Sequence, residues 1–304
     1  MNNSRLIIEG KNSNTRSRLI RAVKQGVTDL ESYELKPQGV FGAEAKVICG
    51  AVTLKSSDLD IEFTVNFDDD MEANEAEISV YNLSQNTINQ IKNKSEISIE
   101  AGYKGDTGVI FTGYVTKVKT TREGADKLTT IKCLDTIKEH TIEEITKSAG
   151  TLASDILYEL LQKTHLRIDR FRARRDHKYE EEQKIDGDLM AAIKTYSQVC
   201  GVSTFIKNGG IICCYLKDVD GLIFDLSEDT GLIGTPEEFT EEISISDEAK
   251  EIVNGYECDM LLQHRVSAGS QVNLKSLDAN GTYRVCSGQH IFNETEAVTH
   301  IKMY

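Results

Sequence analysis

The chain has 304 residues, 39% of them hydrophobic and 28% charged, a globular composition with enough length for two or three compact domains. A formal net charge of -14 argues against general affinity for nucleic acid, because binding phosphates requires clustered Lys and Arg. No window approaches the ~20 consecutive apolar residues of a membrane-spanning helix, and Met1-Asn-Asn-Ser-Arg5 is not organised like a signal peptide, so the expected product is made in the cytoplasm with no membrane segment.

Residues 1–42 read as an N-terminal arm, or as strands that pair with something later in the chain, since they hold too few apolar residues for a core of their own. Arg5-Leu-Ile-Ile-Glu9 is a strand candidate, and Leu19, Ile20 and Val23 suggest a weak amphipathic turn. From Lys46 the pattern turns to strands: Val47–Cys49, Val52–Leu54 and Ile61–Phe67, where Ile61, Phe63, Val65 and Phe67 share one face. Glu77–Tyr81 is a strand that stops at Asn82-Leu-Ser84, a helix cap, and Gln85–Asn93 is predicted as one short helix burying Ile88 and Ile91. A strand at Ile97–Tyr103, a Gly105-Asp-Thr-Gly108 turn, a strand at Val109–Val118, a turn at Arg122–Asp126 and a strand at Lys127–Leu134 complete the set. Short strands separated by turn signals favour a barrel or sandwich over a parallel sheet.

Between 146 and 217 the pattern becomes α+β. Leu152–Thr164 repeats apolar residues at helical spacing, and a second helix runs from the N-cap Asp188 to Gly201. Val202–Ile206, Asn208-Gly-Gly210 and Ile211–Leu216 then read as a hairpin. From Ile243 the chain is again β, with strands around Ile252–Leu262, Gln271–Leu274, Gly281–Ser287 and Val298–Met303.

Two stretches carry this chain's resemblance to a known family. The order strand, Val80-Tyr-Asn-Leu-Ser84, short helix, Ala101-Gly-Tyr103 strand, turn and Ile110-Phe-Thr-Gly-Tyr-Val115 strand resembles the first barrel of phage baseplate hub proteins. Towards the end, Leu261, Leu262, Gly269, Val272, Leu274, Gly281, Tyr283, Val285, Gly288, His290 and Ile301 follow the order of the last hub strands. Phe292-Asn-Glu-Thr295 stands where the family has Gly-Asp-Thr, and the chain has no tryptophan. The resemblance implies a mainly β fold: two tail-tube-like β-barrel domains, at 43–145 and 218–304, flanking a small helix-helix-hairpin insert at 146–217.

Candidate chemistry is sparse. His140, His165, His177, His264, His290 and His300 are scattered, and no serine sits in a GxSxG elbow, Ser203 simply starting a strand. Asp68–Glu75 lacks the glycine and spacing of a calcium loop. Glu180, Glu181, Glu182, Asp186 and Asp188 lack the aromatic cleft of a glycosidase, and Gly105-Asp-Thr-Gly108 reads as turn chemistry, not as a protease motif. Seven cysteines, Cys49, Cys133, Cys200, Cys213, Cys214, Cys258 and Cys286, form no CxxC pattern and read as buried reduced thiols. No catalytic, cofactor-binding or metal residue is nominated, and no cofactor is expected.

The distribution of charge says more than its sum. Asp218–Asp259 holds fourteen Asp or Glu against Lys250, whereas Lys163–Lys178 holds seven Lys or Arg against Asp169 and Asp176. These segments either meet across subunit interfaces or form solvated loops. Arg167–Arg175, with Phe171 and Tyr179 beside it, is the only stretch with nucleic-acid character, and only a weak one.

What the resemblance implies is a non-enzymatic structural hub of a phage tail baseplate or tail tip, located in the virion. The expected particle is a homotrimer joining the sixfold tail tube protein to a threefold central spike or tip protein, beside other baseplate and tape-measure proteins. DNA would pass through without specific binding. The competing expectations are the platform of a tail-associated cell-wall hydrolase and a hexameric tube initiator or completion protein.

Overall fold

The computed structural model describes residues 31–33, 42–136, 141–207, 209–215, 218–219, 222–246 and 249–304. The Arg5–Glu9 strand and the Leu19–Val23 turn lie outside the described residues. In chain order, β1 (Glu31–Tyr33) precedes a first β module: β2 (Ala43–Cys49), β3 (Val52–Lys55), β4 (Ile61–Asp68), β5 (Glu75–Tyr81), α1 (Gln85–Gln90), β6 (Glu96–Tyr103), β7 (Asp106–Glu123) and β8 (Asp126–Leu134). The insert holds β9 (Thr141–Lys147), α2 (Ala153–Lys163), β10 (Arg167–Phe171), β11 (Gln183–Asp188), α3 (Leu189–Cys200), β12 (Ser203–Lys207) and β13 (Gly210–Cys214). A second β module follows: β14 (Leu222–Ser227), β15 (Leu232–Ser246), β16 (Ala249–Leu261), β17 (Gln271–Lys275), β18 (Asn280–Phe292) and β19 (Ala297–Met303).

The mainly β fold with an α+β insert stands as expected, but the two barrels do not: among the described residues there is no closed barrel. Instead the modules run into one 14-stranded sheet, because β4 pairs with β18 of the other module, Asp68 opposite Ser287 through to Phe63 opposite Phe292. β18 also pairs with β17 and β19, so the sheet branches there. At the far edge β1 runs parallel to β14, Glu31 opposite Leu222.

Burial follows the alternation read from sequence. Ile61, Phe63, Val65 and Phe67 on β4 are all buried, as are Ile78 and Val80 on β5. The cores do not respect the modules, however. Leu262 and Phe292 belong to the first core, Phe67 and the insert's Phe205 and Ile212 to the second. Phe63 and Phe292 stack with ring centroids 5.3 Å apart, a pair adding roughly 0.5–1.5 kcal/mol beyond its area.

The helices show where local signals suffice. α3 starts where Asp188 accepts from the Ala191 amide at 2.8 Å and ends at Gly201, whose φ of 65° few other residues tolerate. α2 buries Ile156, Leu157, Leu160 and Leu161, each worth ~1.5–3 kcal/mol. Its N-cap Leu152 offers no side-chain acceptor. Asp176, from the basic segment, accepts from the Ser154 amide at 3.0 Å instead. α1 is shorter than predicted: Ser84 caps it through the Thr87 amide, but the helix ends at Gln90 and Ile91 is already extended. Ile91 still reaches the core from that extended position.

Candidate functional site

The seam between β4 and β18 creates the surface most suited to a scaffold: one sheet face continuous across both modules. Directly paired residues on neighbouring strands share a face, so the outward residues form rows. One row runs Glu257, Lys302, Ser287, Asp68, and the next runs Asp259, His300, Gln289, Asn66. A third runs Leu261, Val298, Ile291, Thr64, Glu77, Lys132. At the seam itself Gln289 Nε2 donates to Asn66 Oδ1 at 2.6 Å. Glu62, Thr64, Asn66, Glu75 and Glu77 line a concavity of about 520 Å³ on this face.

The lysines Lys132 and Lys302 of this face are paired. Lys132 Nζ lies 2.7 Å from Glu77, whose hydrogen bond raises the lysine pKa. Lys302 lies 2.6 Å from Glu241 and 3.7 Å from Glu257, and its pKa is likewise raised, first by the Glu241 bond. His300 Nδ1 and Asp259 Oδ1 are 2.9 Å apart. Below the seam, Arg284 donates to Asp69 and, through Nε, to the Asp218 carbonyl at 3.0 Å. Asp69 is raised overall because its burial outweighs Arg284. Asp68 rises to about 7 through burial and then the neighbouring Asp70.

A family model described as baseplate hub gp41 matches residues 57–287. The chain belongs to the baseplate hub gp41 family. Among solved structures it resembles the 43 kDa tail protein of prophage MuSo2 from Shewanella oneidensis, at a TM-score of 0.60 and 8% identity over 86% of this chain and 97% of that one. The tail protein of Neisseria meningitidis MC58 matches at 0.58 and 8% identity, over 86% and 96% of the two chains. The type VI secretion component c3393 of E. coli matches at 0.57 and 10%, over 85% and 76%. At these identities the likeness is one of fold. No curated protein matches the chain. The chain is a structural protein of a phage tail.

In this hub chain the basic segment begins as a strand and continues from Arg172 to Lys178 as largely exposed irregular chain. Arg167–Phe171 is β10, parallel to β13, with Phe171 fully buried. Its arginines find partners within the chain. Arg167 Nη2 donates to Asp169 at 2.9 Å, Arg170 donates to the Val219 carbonyl, and Arg174 stacks 3.7 Å over Tyr215. Arg175 donates to the Gln198 and Val199 carbonyls at 2.9 Å each, satisfying the end of α3. Among its described residues the acidic segment is largely strand. Most of it forms the β15–β16 hairpin, where Thr240 bonds Asn254 at 2.8 Å and Tyr256 donates to Glu238 at 3.0 Å.

The remaining candidates of the hub take structural places. The turn expected at Gly105–Gly108 lies at Lys104–Gly105 instead, and Asp106 begins β7, paired with Tyr103. Arg265 clamps Asp106 with two bonds of 2.6 and 3.0 Å, holding its carboxyl below the usual range. A Cβ at Gly108 would lie 2.1 Å from the His264 ring, so this glycine is the space that lets the second module close on the first. His290 is buried against Thr299 at 2.9 Å, which pushes its pKa down to about 3. His177 packs edge-on against Tyr179. His165 is exposed, and His140 lies outside the described residues. Glu180, Glu181, Glu182 and Asp186 are exposed, and Asp188 is spent as a helix cap. Ser203 begins β12 opposite Cys214. All seven cysteines are free and buried, with Cys133, Cys213 and Cys258 pushed up to about 12. Among the described residues no cluster of three His, Cys, Asp or Glu is arranged to hold a metal.

Sequence reasoning missed the Asn74–Asp135 junction. Asn74 Nδ2 donates to Asp135 at 2.7 Å and to the Ile206 carbonyl at 3.2 Å, tying the first module to β12 of the insert. Burial raises Asp135 to about 6. A lone Asn in an acidic loop and an Asp 61 positions later carry no local signal of their meeting.

Proposed function

We propose that this chain is the trimeric hub of a phage tail baseplate or tip, a symmetry adaptor between the sixfold tail tube and a threefold spike. The observation that carries the reading is the β4–β18 seam, which gives one chain two β modules sharing a single polar sheet face. Three such chains around an axis present six modules, matching a sixfold partner on one side and a threefold partner on the other. In this arrangement the continuous face of β16, β19, β18, β4, β5 and β8 lines the bore. Its lysines sit beside carboxylates, Lys132 with Glu77 and Lys302 with Glu241, so the wall offers no cation cluster to hold passing DNA. The hub then resides in the virion, bound to tube, spike and neighbouring baseplate components. Its role is assembly and conduit formation, without catalysis.

Light scattering coupled to size exclusion tests this on the full chain, alone and mixed with its tail tube protein. A trimer that caps a hexameric tube supports the adaptor. A hexamer would replace it with a tube initiator, and a monomer indifferent to both tube and spike would sink the reading.

A further inference from the structure

The loop at 262–270, between β16 and β17, reaches from the second module onto the first. Arg265 holds Asp106 with bonds of 2.6 and 3.0 Å, and the His264 ring sits over Gly108. The loop is pinned from behind as well. The Gln263 amide donates to Thr299 Oγ1 at 3.1 Å, the same hydroxyl lies 2.9 Å from His290 Nδ1, and His290 also bonds the Val266 backbone. The Ser267 amide donates to Ser270 Oγ at 3.2 Å, and its carbonyl accepts from the Ser270 amide at 3.1 Å.

Two polar atoms of this tightly bonded loop are left over. His264 Nδ1 and Ser267 Oγ are buried without a hydrogen-bond partner among the described residues, and Ser267 is only 9% exposed. Such atoms are costly to leave bare. Both residues line one cavity of about 20 Å³, where the loop meets β4, β7 and β12. A space of ~10–15 Å³ suffices for one water, so this cavity admits a water and no organic ligand.

The chemistry of the walls points the same way. Asn74 is spent on Asp135 and the Ile206 carbonyl, and His290 on Thr299 and Val266, so neither is free to turn to the two leftover atoms. Burial and then Arg265 hold the His264 pKa below the usual histidine range, so the ring is neutral at pH 7, with one donor and one acceptor nitrogen. Water both donates and accepts, and so satisfies a hydroxyl together with either form of Nδ1.

We propose that one structural water occupies this cavity, hydrogen-bonded to His264 Nδ1 and Ser267 Oγ. It fixes the loop shape that seats His264 on Gly108 and Arg265 on Asp106, and so helps hold the two modules together. The inference does not depend on the oligomeric state of the hub.

Crystallography of the full chain, at a resolution that orders solvent, should show one isolated peak about 2.7–3.2 Å from both atoms. Contacts of about 2.0–2.6 Å would mark a cation and overturn the assignment. So would a site with no peak, or a His264 or Ser267 side chain turned onto a protein partner. In solution, magnetic relaxation dispersion of water counts the long-lived internal waters. Ser267→Val puts a methyl group in place of the hydroxyl and fills the cavity, so it should lose one such water relative to the unaltered chain. An unchanged count would overturn the proposal.

Discussion

The β4–β18 seam and the β15–β16 hairpin are both antiparallel ladders, yet they are held by different forces. At the seam, backbone pairing is backed on one face by Phe63 on Phe292 and Phe67 against His290, and beside it by the buried Arg284–Asp69 pair. Among the described residues, 249–255 of the hairpin pair with β15 alone, and Ile252 is 68% exposed. A two-stranded ribbon in water is marginal by itself. The comparison teaches that ladder length does not measure how well a ladder is anchored, because the six seam pairs are buried on one side and most of the hairpin is not.

The sharpest way to break the contrast is Arg284→Ala. It leaves the Asp69 carboxylate buried without its partner and should cost about 3–5 kcal/mol, read as a lower denaturation midpoint of the full chain. Phe292→Leu, which loses the stack on Phe63 but keeps an apolar side chain, should cost about 1.5 kcal/mol in the same measurement. A third test uses pH. Because Asp68 is raised to about 7 in the folded chain, the folded state holds a proton that the unfolded chain releases from about pH 4 upward. Stability therefore falls as pH rises across that window, and Asp68→Asn should flatten the slope without touching behaviour above it. Smallest of all, Ile252→Ser on the hairpin should stay within about 0.5 kcal/mol. A large effect there would show that the hairpin is packed against something in solution, and would make it the equal of the seam.

Much of this molecule was legible one element at a time. The alternation of β4, the Ser84 cap of α1, the Asp188 and Gly201 ends of α3 and the hairpin of β12 and β13 all follow from side chains within a few residues of each other. The charge runs were legible as runs but not as structures. Arg167–Arg175 read as solvated, and Arg167, Arg172, Arg174 and Arg175 are exposed, but the arginines of this run also bond Val219, Gln198 and Val199 and stack on Tyr215, partners that lie 23 to 49 positions away. The polar face was half legible, since Glu62, Thr64 and Asn66 clearly point away from a core. That they continue into Gln289 and His300 was not.

By itself, then, the sequence determined the strands of the first module, the helices of the insert, the faces these bury, and the family to which the chain belongs, because periodicity, caps and motif order are local; strands such as β9, β10, β11 and β14 carried no such signal. Only the tertiary structure decided that the two β modules open and fuse along β4 and β18, that Asn74 meets Asp135, and that Arg284 is buried on Asp69. These are pairings between residues 61 to 229 positions apart, and edge pairing is chosen by the global fit of shapes and charges, which no short window of residues encodes.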